Sequence, residues 1–469
     1  MSGSVSTTPR KENIMGTMPI VPLLIKLSVP MMLSMLVQAL YNVVDSVFVS
    51  RVSEAALTAV SLAFPMQNIM IAVGVGTGVG VNALLSRSLG EKNYKAANRA
   101  AENGLLLAFC SMVVFMLIGI FVVPFFFKSQ STDPEIIRYG EQYLSVCMIL
   151  CQGIMFSTMN EKLLNSTGKT NLSMICQMTG AVTNIVLDPI FIFGFCGEAL
   201  SGTRGAAAAT VIGQYVGASL GFYFVFKKNP EVTIKIKNLV RPHWETIRRI
   251  YSVAVPSIAM QCVGSFMTFM LNQILMAFSA TAVAVFGVYF KLQSFVFMPI
   301  FGMNNGMVPI VSYNYGARRP DRLKETIRDS MIAAEGVMFL GFLAFELLPK
   351  QLLGIFNASD EMLAIGVTAL RAIGLNFLVA GISVISISVL QAFGRGTWSL
   401  TISVVRQLVV LLPVAWLLSL LGNVNYVWYA FPIAEVFGLT LSLFFLLRVM
   451  RSVVKPMEEE FAAARAAQN

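Results

Sequence analysis

The sequence predicts an all-α polytopic membrane protein in which twelve transmembrane helices form two pseudo-symmetric six-helix bundles. Three observations support this prediction. The chain of 469 residues is 56% hydrophobic and only 12% charged, with a mean hydropathy of +0.73, whereas a soluble domain carries about 25% charged residues. Twelve apolar stretches are long enough to cross a bilayer as helices. The second half of the chain also repeats the first at a fixed spacing.

The apolar stretches, numbered spans 1 to 12, are separated by shorter polar connections. A helix needs about 20 apolar residues to cross the hydrocarbon core, and every stretch exceeds that length. Glu161 and Lys162 directly follow span 4 and are expected to pair at the membrane interface. The expected bounds of the spans are 20–48, 55–84, 97–126, 138–160, 170–195, 205–227, 247–277, 282–311, 325–348, 363–391, 398–421 and 425–450.

The internal repeat has an offset of 226 residues. Because each half holds six spans, an even number, both halves insert in the same orientation and form parallel repeats. We therefore expect an N-terminal lobe over 1–227, a linker over 228–246 and a C-terminal lobe over 247–469. Pairs at this offset include Pro30 and Pro256, Phe64 and Phe290, Gln67 and Gln293, Gly76 and Gly302, Gly80 and Gly306, Ser86 and Ser312, Gly90 and Gly316, and Gly168 and Gly394.

Lysine and arginine residues are concentrated on alternate connections. They precede span 1, fill the connections after spans 2, 4, 6 and 8, and follow spans 10 and 12, while the remaining connections hold only Arg51, Lys128, Arg204 and Lys350. This positive-inside pattern places both termini and the linker in the cytoplasm. It also accounts for the net charge of +10, so no nucleic-acid partner is expected.

Span 1 carries a polar face at membrane depth. Asp45 lies inside the apolar run 28–50, where a carboxylate costs about 2.5–3.5 kcal/mol on insertion scales. Gln38 and Tyr41, seven and four residues earlier, share its helix face, and Asn42 flanks it. Pro30 interrupts the hydrogen-bond ladder of this span, so we expect a hinge there.

Span 5 carries a second intramembrane acid, Asp188. Asn184 and Gln177 precede it by four and eleven residues on the same helix face, and Thr210 of span 6 can add a hydroxyl. Oxygen-rich clusters of this kind suit Na⁺ or a shared proton, because two neighbouring carboxylates disfavour double ionisation. No other metal site and no cofactor are expected.

The repeat separates a functional interpretation of these acids from a structural one. At the offset of 226, Asp45 corresponds to Leu271 and Asp188 to Val414. A carboxylate that only locked helices together should have appeared in both halves. The asymmetry therefore favours an ion-coupling role.

Further residues are expected to line a substrate cavity between the two bundles. Span interiors are expected to hold acids and no arginine, which favours organic cations as substrates. Methionine-rich surfaces adapt to varied apolar ligands. The candidate cavity residues are Gln38, Tyr41, Asn42, Gln67, Met70, Gln177 and Glu435. No phosphate-binding Walker motif occurs, so we expect a non-enzymatic transporter driven by an ion gradient.

Several segments together resemble the multidrug and toxic compound extrusion (MATE) family. They are VPMMLSMLVQALYNVVDSVFVSRVSEAALTAVSLAFP, GTGVGVNALLSRSLGEKNYKAANRA, NSTGKTNLSMICQMTGAVTNIVLDPIFIFG and GMVPIVSYNYGARRPDRLKET, and the resemblance spans about residues 18–452. It implies the MATE fold of two six-helix lobes and a monomeric, cation-coupled antiporter for drugs or metabolites in a bacterial cytoplasmic membrane.

The chain most resembles the prokaryotic DinF-like branch of that family. The resemblance implies an ion site in the N-terminal lobe formed by Asp45 and Asp188 with Asn184 and Thr210. Gln177 stands where the branch has a methionine. Two other functions stay open: a lipid or lipid-linked oligosaccharide flippase of the same superfamily, and a membrane sensor that transports nothing.

Overall fold

The computed structural model describes residues 12–50, 52–194, 197, 201–239, 241–356 and 358–466. All regular secondary structure in these ranges is helical. Ten helices are long and apolar enough to cross a membrane, and two bent helix pairs bring the number to twelve when each pair counts as one span. The prediction of an all-α polytopic membrane protein is confirmed.

The first six spans follow the predicted order. A four-residue helix, Ile14–Thr17, precedes them, and the helix Val123–Gln130 follows span 3. Spans 1 to 6 are Ile20–Ser50, Glu54–Gly90, Tyr94–Phe121, the bent pair Pro134–Ile149 and Gln152–Ser166, Thr170–Ile192, and Gly202–Lys227.

The second half repeats this arrangement. Span 11 contains a π-helical segment, Val405–Leu411, and a second one, Met450–Val454, joins span 12 to the helix Lys455–Ala466. Three short helices, Ile236–Leu239, Pro349–Gly354 and Val424–Val427, lie between spans. Spans 7 to 12 are Trp244–Met276, Ala280–Gly316, Pro320–Leu347, the bent pair Asp360–Gly374 and Phe377–Ala392, Gly396–Ser419, and Ala430–Val449.

The bends in spans 4 and 10 lie at equivalent places in the two halves. The helix axis turns by 47° between Ile149 and Gln152 and by 51° between Gly374 and Phe377. The straight spans expected over 138–160 and 363–391 are therefore corrected to two-part helices. Hydropathy measures only length and apolarity, so it could not reveal these breaks.

Helix caps and turns also repeat at the offset of 226. The Ser53 and Ser279 side chains cap spans 2 and 8 by accepting hydrogen bonds from the Ala56 and Ala282 backbone N–H groups, at 3.0 and 3.1 Å. Lys92 and Arg318, after those spans, both adopt positive φ, at 57° and 52°. The repeat seen in sequence therefore extends to local backbone geometry.

Glycines allow the two halves to approach closely. A Cβ atom on Gly76 or Gly80 of span 2 would lie 2.5 Å from the Ile258 side chain or 2.4 Å from the Ile250 carbonyl oxygen of span 7. The equivalent Gly302 and Gly306 of span 8 make the same kind of contact with span 1, at Met32 and Ser28. Spans 2 and 7, and spans 8 and 1, therefore pack backbone to backbone.

These contacts lie toward one end of the bundle, which we call the basic end. It holds the turns 91–93 and 317–319 and the linker 228–246. Gly90 and Gly316 pack there against each other's neighbours, so that a Cβ on Gly90 would lie 1.9 Å from the Tyr313 carbonyl oxygen. The two halves are therefore closed against each other at the basic end.

A buried lysine also joins the halves. Lys162 lies inside span 4, is only 3% exposed, and pairs with Glu161 as the sequence predicts; its depth in the membrane stays a prediction. Its Nζ donates to Glu161 Oε1 at 2.9 Å and, across the halves, to Asn305 Oδ1 of span 8 at 2.7 Å. Gly78 leaves room for its aliphatic part, since a Cβ there would lie 2.6 Å from Lys162 Cγ.

Asn305→Leu should destabilise the protein by about 1.5–3 kcal/mol, because it removes a hydrogen bond to a buried charge. Thermal unfolding in detergent measures the loss. The same substitution in a Lys162→Met background should cost much less, since the ammonium is then absent. Equal costs in both backgrounds would show that Asn305 acts independently of Lys162.

Candidate functional site

Span 1 places Asp45 beside span 5. Span 1 packs on span 5 within its own half and on span 8 of the other half. The Asp45 side chain is half-buried, and its Oδ1 is buried without a hydrogen-bond partner among the described residues. Asp45 is close enough to Asp188 and Tyr41 to interact with both electrostatically. The two acids predicted from the sequence therefore lie in one site.

Asp188, Asn184 and Thr210 form the buried part of this site. Asp188 is fully buried and Asn184 is 3% exposed. In the amide orientation that satisfies both neighbours, Asn184 Nδ2 donates to Asp188 Oδ2 at 3.2 Å. Its Oδ1 then accepts from the Thr210 backbone N–H at 3.0 Å and the Thr210 hydroxyl at 3.2 Å. One amide thus connects the carboxylate of span 5 to span 6.

Small residues allow spans 5 and 6 to pack closely at this site. A Cβ on Gly213 would lie 2.6 Å from the Gly180 carbonyl oxygen and 3.2 Å from Asn184 Cβ. The run Gly205–Ala209 directly precedes Thr210 on span 6, and four of its five residues are buried. Close approach of two backbones requires such residues. They set the distance at which the short Thr210 side chain reaches Asn184.

Proline residues adjoin both acidic positions. Pro30 lies within span 1, which continues as one helix from Ile20 to Ser50. Pro189 directly follows Asp188 inside span 5. A proline leaves one carbonyl of the helix ladder without its usual donor, so each span has a point of lower bending stiffness. The hinge role of Pro30 stays a prediction.

The predicted substrate-cavity residues have different surroundings. Gln38 and Asn42 are exposed on span 1, and Tyr41 is half-buried. Gln67 Nε2 donates to the Tyr143 hydroxyl at 3.3 Å. Met70 is 2% exposed within an apolar cluster. Both amide atoms of Gln177 are buried without a partner among the described residues; its role in substrate contact stays a prediction.

Glu435 has a partner that the sequence reasoning missed. Arg406, in the π-helical segment of span 11, places Nη1 at 3.2 Å from Glu435 Oε2. The Glu435 side chain is 5% exposed and that of Arg406 is 21% exposed. The expectation that span interiors hold no arginine is therefore wrong. The sequence signal that could have revealed this pair is the arginine inside the apolar run 398–421. Gly438 leaves space for it, since a Cβ there would lie 2.7 Å from Arg406 Cδ.

Glu435→Gln should destabilise the protein by about 3 kcal/mol, because it leaves the Arg406 charge without its partner in a low-dielectric interior. Thermal unfolding of the purified protein measures this. The double variant Glu435→Gln/Arg406→Gln should recover much of the loss. As a control, Glu346→Gln breaks the exposed pair with Arg371 and should change stability by at most about 1 kcal/mol. Equal losses in both single variants would contradict a buried, strongly coupled pair.

The fold and the site together define a class of protein. Parallel six-span repeats with a polar cluster at membrane depth are typical of secondary transporters. The MatE family model matches residues 30–190 and again residues 256–417, two matches that begin 226 residues apart. The chain therefore belongs to the MatE family, the multidrug and toxic compound extrusion transporters, and it is not an enzyme.

Individual relatives agree over nearly the whole chain. The "Multidrug export protein MepA" of Staphylococcus aureus (strain MRSA252) is 26% identical, and the alignment covers 89% of this chain and 91% of MepA. A MATE transporter solved in an outward-facing conformation has 24% identity and a TM-score of 0.89, with 96% of this chain and all of that chain covered.

A second solved structure is described as a MOP superfamily transporter from Pyrococcus furiosus with a binding pocket of reversed polarity. It has 25% identity and a TM-score of 0.89, and the comparison covers 96% of this chain and 99% of that chain. The recognition of the MATE family from the sequence is confirmed. Assignment to the DinF-like branch stays a prediction.

Proposed function

We propose that this MATE transporter exports amphipathic organic cations in exchange for H⁺ or Na⁺. The coupling ion occupies the cluster of Asp45, Asn184, Asp188 and Thr210. The observation that carries this proposal is the partner-free Asp45 Oδ1 beside a fully buried Asp188. A buried carboxylate oxygen without a donor is costly, and an exchangeable cation removes that cost.

The charge of the site supports a cationic ligand. Among the described residues, no lysine, arginine or histidine nitrogen lies within 4.0 Å of either carboxylate. In the other half, Arg406 neutralises Glu435. Glu335 of span 9 also has a buried oxygen without a partner among the described residues, but Asp45 and Asp188 place two acids without a basic partner in one site, and both lie in the N-terminal half. The name of the MepA relative supports multidrug export as the activity.

Span 1 connects the ion site to the contact between the halves. Its later part carries Asp45, and its earlier part carries Ser28 and Met32, which pack on Gly306 and Gly302 of span 8. Pro30 lies between Ser28 and Met32. Binding of H⁺ or Na⁺ neutralises the carboxylates, shifts span 1 at Pro30 and changes its packing on span 8. The ion and the substrate then favour different states of one equilibrium.

The same proposal covers location and assembly. The basic end is the cytoplasmic end, because lysine and arginine accumulate there. Both termini then lie in the cytoplasm, and the protein works as a monomer in a bacterial cytoplasmic membrane. Its partners are small-molecule substrates and the lipid bilayer.

The flippase and sensor alternatives have less support. A lipid-linked oligosaccharide carries phosphate, which calls for unpaired basic residues inside the spans. Arg406 and Lys162 are paired with acids, and Lys291 of span 8 is exposed and lies over the Phe356 ring. A sensor needs no exchangeable ion. Neither alternative accounts for two acids confined to one half.

Ethidium transport by the purified protein in liposomes tests this function. A pH gradient and a Na⁺ gradient are imposed separately, and empty liposomes serve as the control. We expect dye movement under at least one gradient and its loss when that gradient collapses. Dye movement that ignores both gradients would overturn coupling, and no movement of any cationic dye would favour the sensor.

A further inference from the structure

A basic cavity of about 660 Å³ lies at the basic end, between the two halves. Arginines from both halves line it: Arg87 and Arg99 from spans 2 and 3, Arg249 from span 7, and Arg395 from the turn before span 11. Its volume is in the range of small-molecule sites, about 300–1,000 Å³. The proposed transport mechanism does not use this cavity.

Two of these arginines have no acidic partner among the residues that the structure describes. Arg87 and Arg249 pair with Glu91 at 2.8 Å and with Glu245 at 2.6 Å. Among the described residues, Arg99 and Arg395 have no carboxylate oxygen within 4.0 Å. The cavity lining therefore carries two uncompensated guanidinium groups, one from each half.

The contacts of Arg99 and Arg395 leave donors available. Arg99 Nη1 lies 3.1 Å from His243 Nε2, and the Arg395 guanidinium lies over the Trp398 ring at 5.2 Å from its centroid. A guanidinium has five N–H donors in a planar fork. The stacking of Arg395 on Trp398 uses none of these donors, and the contact of Arg99 with His243 uses one at most. Bidentate recognition of a phosphate or carboxylate is the geometry that such a group serves best.

The pseudo-symmetric counterpart of this cavity also holds arginines, but at other positions of the repeat, since Arg99 itself corresponds to Glu325. At the offset of 226, Asn93 and Arg395 of the cavity lining correspond to Arg319 and Lys169. The segment 12–18 fills that other junction. Arg319 donates to the Gly16 carbonyl and, at 3.0 Å, to Glu12 Oε1. Arg322 Nη2 donates to the Met15 and Met18 carbonyl oxygens at 3.0 and 2.7 Å.

The corresponding part of the linker lies elsewhere. The helix Ile236–Leu239 packs on span 3, where Glu102 accepts from the Lys235 backbone N–H at 3.0 Å. The His243 backbone N–H donates to Asn103 Oδ1 at 3.0 Å. Because the linker follows this path, a cavity remains between the linker, Tyr315 and the turn at Arg395. The junction at Arg319 is thus filled by carbonyl and carboxylate oxygen atoms of the chain itself. The cavity at Arg395 remains available to the oxygen atoms of a ligand.

We propose that this cavity binds a phosphate-bearing anion, held by Arg99 of one half and Arg395 of the other. The phosphate belongs to an acidic phospholipid headgroup or to a soluble phosphate compound. Basic pockets between transmembrane helices on the cytoplasmic side are suited to lipid phosphate groups. Because its two ligands come from different halves, the anion stabilises the closed arrangement at the basic end.

Binding by the purified full-length protein tests the proposal. In detergent, pyrophosphate and inorganic phosphate are titrated by isothermal calorimetry. In nanodiscs, native mass spectrometry counts retained phosphatidylglycerol or cardiolipin against phosphatidylcholine. We expect saturable binding of at least one phosphate source, weakened about tenfold by Arg99→Gln and by Arg395→Gln. Higher NaCl should weaken it further. Arg395→Lys should retain part of the affinity.

Arg371→Gln is the matched control, because Arg371 is a half-exposed arginine of span 10 outside the cavity lining. It should leave binding unchanged. Pyrophosphate binding alone identifies a soluble ligand, and phospholipid retention alone identifies a headgroup; either supports the proposal if Arg395→Gln weakens it about tenfold. Absence of binding by the wild type, binding that Arg395→Gln does not change, or equal weakening by Arg371→Gln overturns it. Gel filtration confirms that each variant is folded.

Discussion

Asp45→Asn should abolish ion-coupled efflux while leaving the transporter folded. The substitution keeps the size of the side chain but removes its negative charge, so the site can neither exchange a proton nor attract Na⁺. Asp45 Oδ1 has no hydrogen-bond partner among the described residues, so the fold loses little. Ethidium uptake into everted vesicles should fall at least about tenfold, which corresponds to about 1.4 kcal/mol of lost coupling.

The neighbouring positions refine this test. Asp188→Asn should also abolish coupling, but with some loss of stability, since Asp188 is fully buried and accepts from Asn184. Asp321→Asn, at the exposed start of span 9, is the matched control and should transport like the wild type. Wild-type efflux by Asp45→Asn with unchanged dependence on the ion gradient would remove Asp45 from the mechanism.

The number and order of the spans could be predicted because they depend on local sequence. Apolar length determines which segments enter a bilayer, and the offset of 226 residues was visible without any structure. The bends of spans 4 and 10 could not be predicted in this way. Gly153 lies two residues after the first bend and Gly374 lies at the second, but unbroken spans also contain glycines, such as Gly76 and Gly80 of span 2, so a glycine alone does not specify a bend. Tertiary packing therefore determines these breaks.

The ion site was partly predictable because part of it also depends on local sequence. Asn184 and Asp188 are one helical turn apart, so their proximity follows from helix geometry. Contact of Asn184 with Thr210 depends on how closely spans 5 and 6 pack. The small residues of the run Gly205–Ala209 indicated that span 6 can pack closely. The pairing of Arg406 with Glu435 depends on a crossing of spans 11 and 12. No local pattern specifies that crossing, although the intramembrane arginine was visible.

The N-terminal segment is a second feature that local patterns could not reveal. Residues 12–18 mix polar residues with Ile14, Met15 and Met18, and the segment is too short to form a span of its own. In the structure, Asn13 Nδ2 donates to the Thr167 carbonyl at 3.0 Å, while Arg319 and Arg322 of the other half bind the same segment. The segment therefore joins both halves. Its position depends on the turns around it, which only the folded protein brings together.

Gly90→Ala should shift the transporter away from the arrangement that is closed at the basic end. The added Cβ would lie 1.9 Å from the Tyr313 carbonyl oxygen and 2.9 Å from the Ala317 backbone nitrogen. Backbone atoms cannot move aside as a flexible side chain can, and overpacking typically costs about 1–3 kcal/mol. The closed state should therefore become about 5- to 150-fold less populated relative to the open one. Gly316→Ala should have the same effect, because its Cβ would lie 2.1 Å from the Arg87 carbonyl oxygen.

A cysteine at Ser28 reports on this shift in a background where the native cysteines are replaced by serine. Ser28 is 4% exposed and packs beneath Gly306, so maleimide should react slowly with Ser28→Cys in the closed state and faster when Gly90→Ala is added. Gly287→Ala is the matched control in span 8, since no atom lies within 4 Å of its added Cβ. It should leave labelling unchanged and favour the helix slightly. Equal labelling in Gly90→Ala and Gly287→Ala would show that the close glycine contacts do not determine closure.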